Sequence, residues 1–219
     1  SFTIRNYNIA SPFASFLPGI AGPWGIPMWA FYVNRGQGIC SFGLRDKDHP
    51  IAEFVSANWA FQLVFRQGFQ TFLKISDSGG ERHHEPFQVA ANGRPAPQQT
   101  MEIRPGELTL RDSDPDAGVE VEVRYFTLPQ ESLGALVRSV RVRNLSDKPV
   151  SVQMLDGLAL IIPHGLNNFS IKEMRYIAQS HAEVIGLAER TPGFRTKATS
   201  DDSTVVETVS GVNFCFGYE

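Results

Sequence analysis

An antiparallel all-β sandwich is the fold class this sequence predicts, and three observations predict it. Residues 119–125 alternate apolar and charged side chains, which puts Val119, Val121, Val123 and Tyr125 on one face of a strand. The same alternation returns at 140–143 and again at 150–154. The 14 Pro and 19 Gly fall mostly between such runs, with Pro95, Pro97, Pro105, Gly106, Pro115 and Gly118 punctuating the middle of the chain. Short strands with frequent turn signals point to a sandwich and away from βαβ units.

Taken in order, strands are predicted over 2–7, 38–44, 51–55, 59–65, 68–75, 99–103 and 107–111, then 119–125, 140–143 and 150–154, and finally 204–209 and 212–216. Asn144-Leu-Ser-Asp-Lys-Pro149 is rich in turn formers, so the runs on either side of it are expected to pair as an antiparallel hairpin. Residues 77–85, rich in Gly, Ser and charge, are expected to be an exposed loop. One helix is expected, from about 171 to 181. Ser170 and Glu173 form a capping-box pair, and Ile171, Met174, Ile177, Ala178 and His181 follow at helical spacing. No internal repeat and no low-complexity linker divides the chain, so residues 1–219 are expected to be a single domain.

Composition excludes several classes. With 42% hydrophobic residues the chain can build a core, and it is not of the disordered type. Lys+Arg 20 against Asp+Glu 23 gives a formal charge of -3, without the net basic face that nucleic acid requires. No run approaches the roughly 18 apolar residues of a membrane span. Two Cys in 219 residues exclude a disulfide scaffold. Cys40 and Cys215 have apolar neighbours and no adjacent base, so both are expected to be buried reduced thiols, in keeping with a cytoplasmic protein. The sequons at Asn144 and Asn168 carry no weight without secretion. The last nine residues, 211–219, form a strand-like run with no turn after it, which predicts a piece of a longer polypeptide.

Motifs for chemistry are sparse. There is no nucleophile elbow, no H-E-x-x-H, no P-loop and no dinucleotide fingerprint, and no cofactor or metal is expected. His83 and His84 are adjacent, so in a strand they would face opposite ways and could not chelate together. The charged run 45–50, with Asp46 and His49, reads as a solvated turn between two strands. Asp112, Asp114 and Asp116 crowd one stretch, and Asp201 and Asp202 another. Glycoside hydrolysis needs two carboxylates facing each other about 5–10 Å apart, and nothing in the spacing provides that pair. Asp at alternate positions near Pro more often accepts from backbone N–H groups.

The stretch from 17 to 42 is the exception. Gly and Pro hold it in irregular extended and turned conformations, Trp24, Trp29, Phe31 and Tyr32 supply aromatic faces, and Asn34, Arg35 and Gln37 supply hydrogen-bonding groups. Sugars are bound by this mixture, since C–H faces pack on aromatic rings while hydroxyls pair with planar polar groups. The competing reading is a structural loop closing one end of the sandwich.

The block Ile20-Ala-Gly-Pro-Trp-Gly-Ile-Pro-Met-Trp-Ala-Phe-Tyr-Val-Asn-Arg-Gly-Gln-Gly-Ile39 resembles the start of cellobiose-phosphorylase-like proteins of glycoside hydrolase family 94, formerly glycosyltransferase family 36. So do Ser41-Phe-Gly-Leu-Arg-Asp-Lys-Asp-His-Pro-Ile-Ala-Glu-Phe54 and Gly68-Phe-Gln-Thr-Phe-Leu-Lys74. Later pieces fit as well: Arg141-Val-Arg-Asn-Leu-Ser-Asp-Lys-Pro149, Leu155-Asp-Gly-Leu-Ala-Leu-Ile-Ile-Pro-His-Gly165 and Lys172-Glu-Met174. The nearest likeness is to long members resembling 1,2-β-oligoglucan phosphorylases.

The resemblance implies a galactose-mutarotase-like antiparallel β-supersandwich, incomplete at its C-terminal end, as the N-terminal domain of a longer enzyme. In such an enzyme a separate (α/α)6 barrel carries the reaction, in which an Asp protonates the glycosidic oxygen and inorganic phosphate attacks with inversion to give glucose 1-phosphate. No catalytic motif of the family falls inside this chain, so no catalytic residue is assigned. Oligosaccharide and phosphate are the implied partners of the full-length protein, with a homodimer as the implied assembly. The residues expected to face sugar are Trp24, Trp29, Tyr32, Arg35 and Gln37, followed by Asp46 and His49. Two rival readings are a stand-alone carbohydrate-binding module and a mutarotase-like enzyme with a Glu base and a His acid.

Overall fold

The computed structural model describes residues 1–17, 25–89, 98–198, 204 and 208–219. The protein is mostly antiparallel β-structure arranged as a sandwich. In chain order the elements begin with β1 (Phe2–Arg5), β2 (Ala14–Phe16), β3 (Met28–Val33), β4 (Ile39–Leu44) and β5 (Pro50–Ala52). Helix α1 (Ala57–Gln67) precedes β6 (Phe69–Asp77), β7 (Gly80–His84), β8 (Gln98–Arg104), β9 (Glu107–Asp114), β10 (Val119–Thr127), β11 (Leu136–Asn144) and β12 (Ser151–Leu158). Two short helices, α2 (Asn168–Glu173) and α3 (Arg175–Ser180), lead to β13 (Ala182–Ile185), β14 (Gly193–Thr196) and β15 (Asn213–Phe214).

A five-stranded sheet, β1-β8-β9-β10-β11, supplies one layer. Its inner face carries the alternation seen in the sequence, with Val119, Val121, Val123 and Tyr125 at most 1% exposed. Leu108, Leu110, Met101 and Ile103 extend that face across β9 and β8. Opposite it lie the inner faces of the four-stranded sheet β2-β3-β4-β5 and the three-stranded sheet β12-β6-β7, through Met28, Ala30, Tyr32, Phe69, Leu73 and Ile75. Burial of these side chains, worth about 1.5–3 kcal/mol each, is what holds the layers together. The outer face of the large sheet is polar, and cross-strand ion pairs Arg111–Glu122, Arg143–Glu120 and Arg124–Glu107 line it. A further sheet, β13-β14-β15, sits by a small cluster of Ile162, Leu166, Ile171 and Ala178. No helix among the described residues is long and apolar enough to cross a membrane.

Several elements differ from expectation for identifiable reasons. Residues 59–65 are helical, within α1. Trp59, Phe61, Leu63 and Phe65 imitate a strand's alternation, but Ala57, Ala60, Phe61, Val64 and Phe65 also form a helical stripe. That stripe packs on Phe31, Val33 and Cys40, while Trp59 on the other side is 55% exposed. Gly68 ends the helix, its N–H donating to the Val64 carbonyl at 3.2 Å. A methyl group there would lie 2.5 Å from that same oxygen.

The expected hairpin between 140–143 and 150–154 does not form. β11 pairs with β10, and β12 pairs with β6 from Ser151↔Ser76 to Leu158↔Phe69. The turn chemistry is nonetheless real: Asn144 accepts from Ser146 N–H and donates to the Lys148 carbonyl. A turn fixes a reversal of direction; it does not require that both arms join one sheet.

The single helix of 171–181 is two, broken at Met174, whose φ of -122° leaves the helical region. Its cap is Asn167, which accepts from Ser170 N–H at 2.8 Å, and not the Ser170–Glu173 box. The expected loop 77–85 is the β6–β7 hairpin, turning at Ser78 and Gly79. Met28–Val33, read as irregular, is strand β3 because this aromatic and aliphatic run contains no Gly or Pro. β13 and β14 were not expected at all. Cys40 is buried as expected, and its burial pushes the thiol up to about 12, but Cys215 is exposed. Asp112 belongs to strand β9 and is buried, whereas Asp114 accepts from the N–H groups of Asp116 and Ala117 as its turn position suggested. The predicted strand 204–209 depends on residues 205–207, which lie outside the described residues, as do Asp201 and Asp202.

Candidate functional site

The β4–β5 hairpin tip carries the most site-like arrangement of the expected residues. Arg45 opens the tip in the left-handed region at φ 58°, and the Leu44 N–H closes it on the His49 carbonyl at 2.9 Å. Asp46 then serves three groups. Its Oδ1 accepts from Asp48 N–H at 2.8 Å and contacts His49 Nδ1 at 2.8 Å, while its carbonyl accepts from Trp29 Nε1 at 2.8 Å. The His49 contact, then the Asp48 amide, holds the Asp46 carboxyl below its usual range. An exposed carboxylate kept ionised in this way accepts hydrogen bonds from hydroxyls and is a poor general acid.

Aromatic rings stand beside it. Trp29 lies edge-on to Phe16 at 6.3 Å and to Phe54 at 6.0 Å, and Phe16 stacks on Phe54 at 6.0 Å with planes 10° apart. Phe31 closes the group from below, 5.0 Å from Phe16. Phe16 is 50% exposed, so this cluster presents ring surface to solvent. Gly43 seats the indole: a methyl group on it would fall 2.8 Å from Trp29 Cζ2 and 2.5 Å from the His49 carbonyl. Aromatic faces beside an ionised carboxylate and an imidazole suit a polyhydroxylated ring.

The structure brings together Trp29, Asp46 and His49 from the expected set and places three others elsewhere. Tyr32 is one strand position out of phase with Trp29 and points into the main core, edge-on to Phe13 at 5.8 Å. Arg35 donates to the carbonyls of Tyr7, Asn34 and Ala10 and lies over the Phe61 ring, so it ties the N-terminal segment to α1. Gln37 is 4% exposed and accepts from Arg138 Nη2 at 2.5 Å. Trp24 lies outside the described residues.

Arg138 organises a polar network between the layers. It contacts both carboxylate oxygens of Asp156, at 2.7 and 3.0 Å, and donates to Thr71 at 2.8 Å and to the Tyr125 hydroxyl at 2.5 Å. Its guanidinium also lies over the Phe69 and Tyr125 rings. With its side chain 7% exposed, every donor it has is directed into the protein, so the network is structural.

Sequence reasoning did not single out Phe16 and Phe54. They reach Trp29 through sheet pairing, Phe16↔Phe31 being the register partner across β2–β3, and no local spacing signals that. It also passed over the outer face of β12-β6-β7, a concavity of about 610 Å³ lined by Phe72, Leu155, Lys74, Gln153 and His83. His83 and His84 do face opposite ways on β7, His84 lying 3.7 Å from Asp114 on the inner side. Among the described residues no group of three or more His, Cys, Asp or Glu is placed to hold a metal ion. Compared with known proteins, the chain matches no protein-family model and no curated protein.

Proposed function

We propose that this chain is the β-sandwich region of an inverting glycoside phosphorylase of the family 94 kind, acting on β-linked gluco-oligosaccharides, and that it contributes sugar contacts while the reaction is carried elsewhere. The observation that carries this reading is the Phe16–Trp29–Phe54 cluster, with Phe16 half-exposed and the other two rings partly buried, beside the Asp46–His49 pair. Two of the blocks that carry the resemblance, 20–39 and 41–54, supply Trp29, Asp46, His49 and Phe54 to that corner. The antiparallel sandwich agrees with the architecture the resemblance implies. Among the described residues the His that contact a carboxylate, His49 and His84, each contact an Asp, which gives no support to a Glu–His mutarotase pair.

Calorimetric titration of the chain with β-1,2- and β-1,4-linked gluco-oligosaccharides tests the sugar contact. Binding is expected, and Trp29→Ala should weaken it at least tenfold, because a ring in van der Waals contact with a sugar face is lost. Phe72→Ala, on the far concavity, should leave it unchanged. Absence of binding at millimolar sugar, or an unaltered Trp29→Ala titration, would refute the corner as a sugar site. Incubation with the same sugars and phosphate should release no glucose 1-phosphate; release would overturn the assignment of the chemistry to another part of the enzyme.

A further inference from the structure

Gln99 and Asp112 are directly opposed partners across β8 and β9, and both side chains point inward at 0% and 1% exposure. Three hydrogen bonds are in place. Gln99 Nε2 donates to Asp112 Oδ2 at 2.7 Å and to the Gln88 carbonyl at 3.0 Å, and the Phe87 N–H donates to the same Oδ2 at 2.7 Å. That uses both amide hydrogens of Gln99. The two remaining oxygens, Asp112 Oδ1 and Gln99 Oε1, are buried, and neither accepts from any group among the described residues. Two unpaired acceptors on facing residues are costly in a dry interior, and a single proton between them would satisfy both.

We propose that Asp112 is carried as the neutral acid, its Oδ1–H donating to Gln99 Oε1 while Gln99 Nε2–H donates to Asp112 Oδ2, so that a closed acid–amide pair clasps residues 86–88 to the large sheet. What it clasps is strained. Phe87 holds a positive φ of 68° at 1% exposure, a conformation that a bulky residue adopts only where its surroundings impose it. Ionisation would put two acceptors with negative charge face to face beneath that residue and weaken the clasp.

The surroundings favour the neutral form. Asp114, two residues along the same strand, adds a like charge, and Tyr7 faces the site from the N-terminal segment as a neutral phenol. Among the described residues no Lys, Arg or His forms an ion pair with Asp112. Burial first, with Asp114 adding to it and the Phe87 and Gln99 hydrogen bonds opposing it, brings the carboxyl up to about 6. The sign follows: stability attached to a raised carboxyl is fully present below its unfolded value and is lost as pH rises through about 6.

Carbon-13 NMR of the Asp carboxyls, followed by pH titration of the full chain, tests this without any substitution. One Asp carboxyl, that of Asp112, should stay protonated at pH 5; if every Asp carboxyl is ionised at that pH, the proposal fails. Asp112→Asn supplies the second arm, since its Nδ2–H can donate where the proton did. From pH 4 to pH 7 the unfolding equilibrium constant of the wild type should rise by about 100-fold relative to that of D112N. Parallel profiles for the two proteins would equally overturn the proposal.

Discussion

At the scale of single residues, Arg138 shows how little a residue's sequence neighbourhood says about its role. In the sequence it is one more charge in an alternating strand. In the fold its guanidinium contacts Gln37, Thr71, Tyr125 and Asp156 at once, at the centre of a network that Thr71 also braces through Gln37 and Asp156. Because its side chain is 7% exposed, removing it takes the cation away from the Asp156 carboxylate, whose own side chain is only 20% exposed, and leaves it the Thr71 hydroxyl as a donor. Arg138→Met should therefore destabilise the protein by about 3 kcal/mol in urea denaturation, the lower end for breaking a buried pair. R138M combined with Asp156→Asn should recover part of that loss, since most of the single-variant effect is the unpaired charge. If the double variant is as unstable as the sum of the singles, the two residues do not act as a pair. The same contrast holds for Gln37. Its amide looked available to a sugar because sequence gives residue type and not direction, and its direction is set by a partner 101 residues away.

Elements were legible where a strand's own pattern matched its surroundings. β10 is the clearest case, with one inner face buried and one outer face charged, so alternation alone identified it. α1 was illegible for the opposite reason: its 11 residues satisfy both periods, and only the apolar face of β3 and β4 that it covers decides between them. Its end tests that account. Gly68→Ala would force a methyl group to within 2.5 Å of the Val64 carbonyl, a backbone atom that cannot swing aside. A loss of about 1–3 kcal/mol is expected from thermal melts, as for other overpacked sites. Gly217→Ala, which meets nothing within 4 Å, should melt with the wild type. Equal melting of both variants would mean that α1 ends without help from Gly68. The false hairpin at 144–149 teaches a related lesson, since its turn residues acted as predicted while one arm paired with the preceding strand β10 and the other with β6, far back in the chain.

At the scale of the whole molecule, two buried titrations pull stability in opposite directions. His84 lies on the inner side of β7, its side chain 12% exposed, and burial lowers its imidazole from the usual value despite the opposing pull of Asp114. Its contribution is present above the unfolded histidine range and is lost as pH falls through the lowered folded value. Asp112, raised to about 6, contributes in the opposite sense and weakens the fold as pH rises. The two windows overlap below the ordinary histidine range, so each masks the other in the wild-type profile. His84→Gln removes the histidine limb while keeping a polar group of similar reach. H84Q should therefore lose stability more steeply than the wild type from pH 4 to pH 7, as followed by chemical denaturation at each pH. Asp112→Asn should do the reverse and become more stable over the same range. The exposed carboxylates Asp46, Asp77 and Glu81 are held below their usual values by hydrogen bonds to His49, Arg82 and Lys74, and they affect all three proteins alike. Coincident slopes for H84Q and wild type would show that His84 does not titrate with folding, leaving the acid limb to those surface groups.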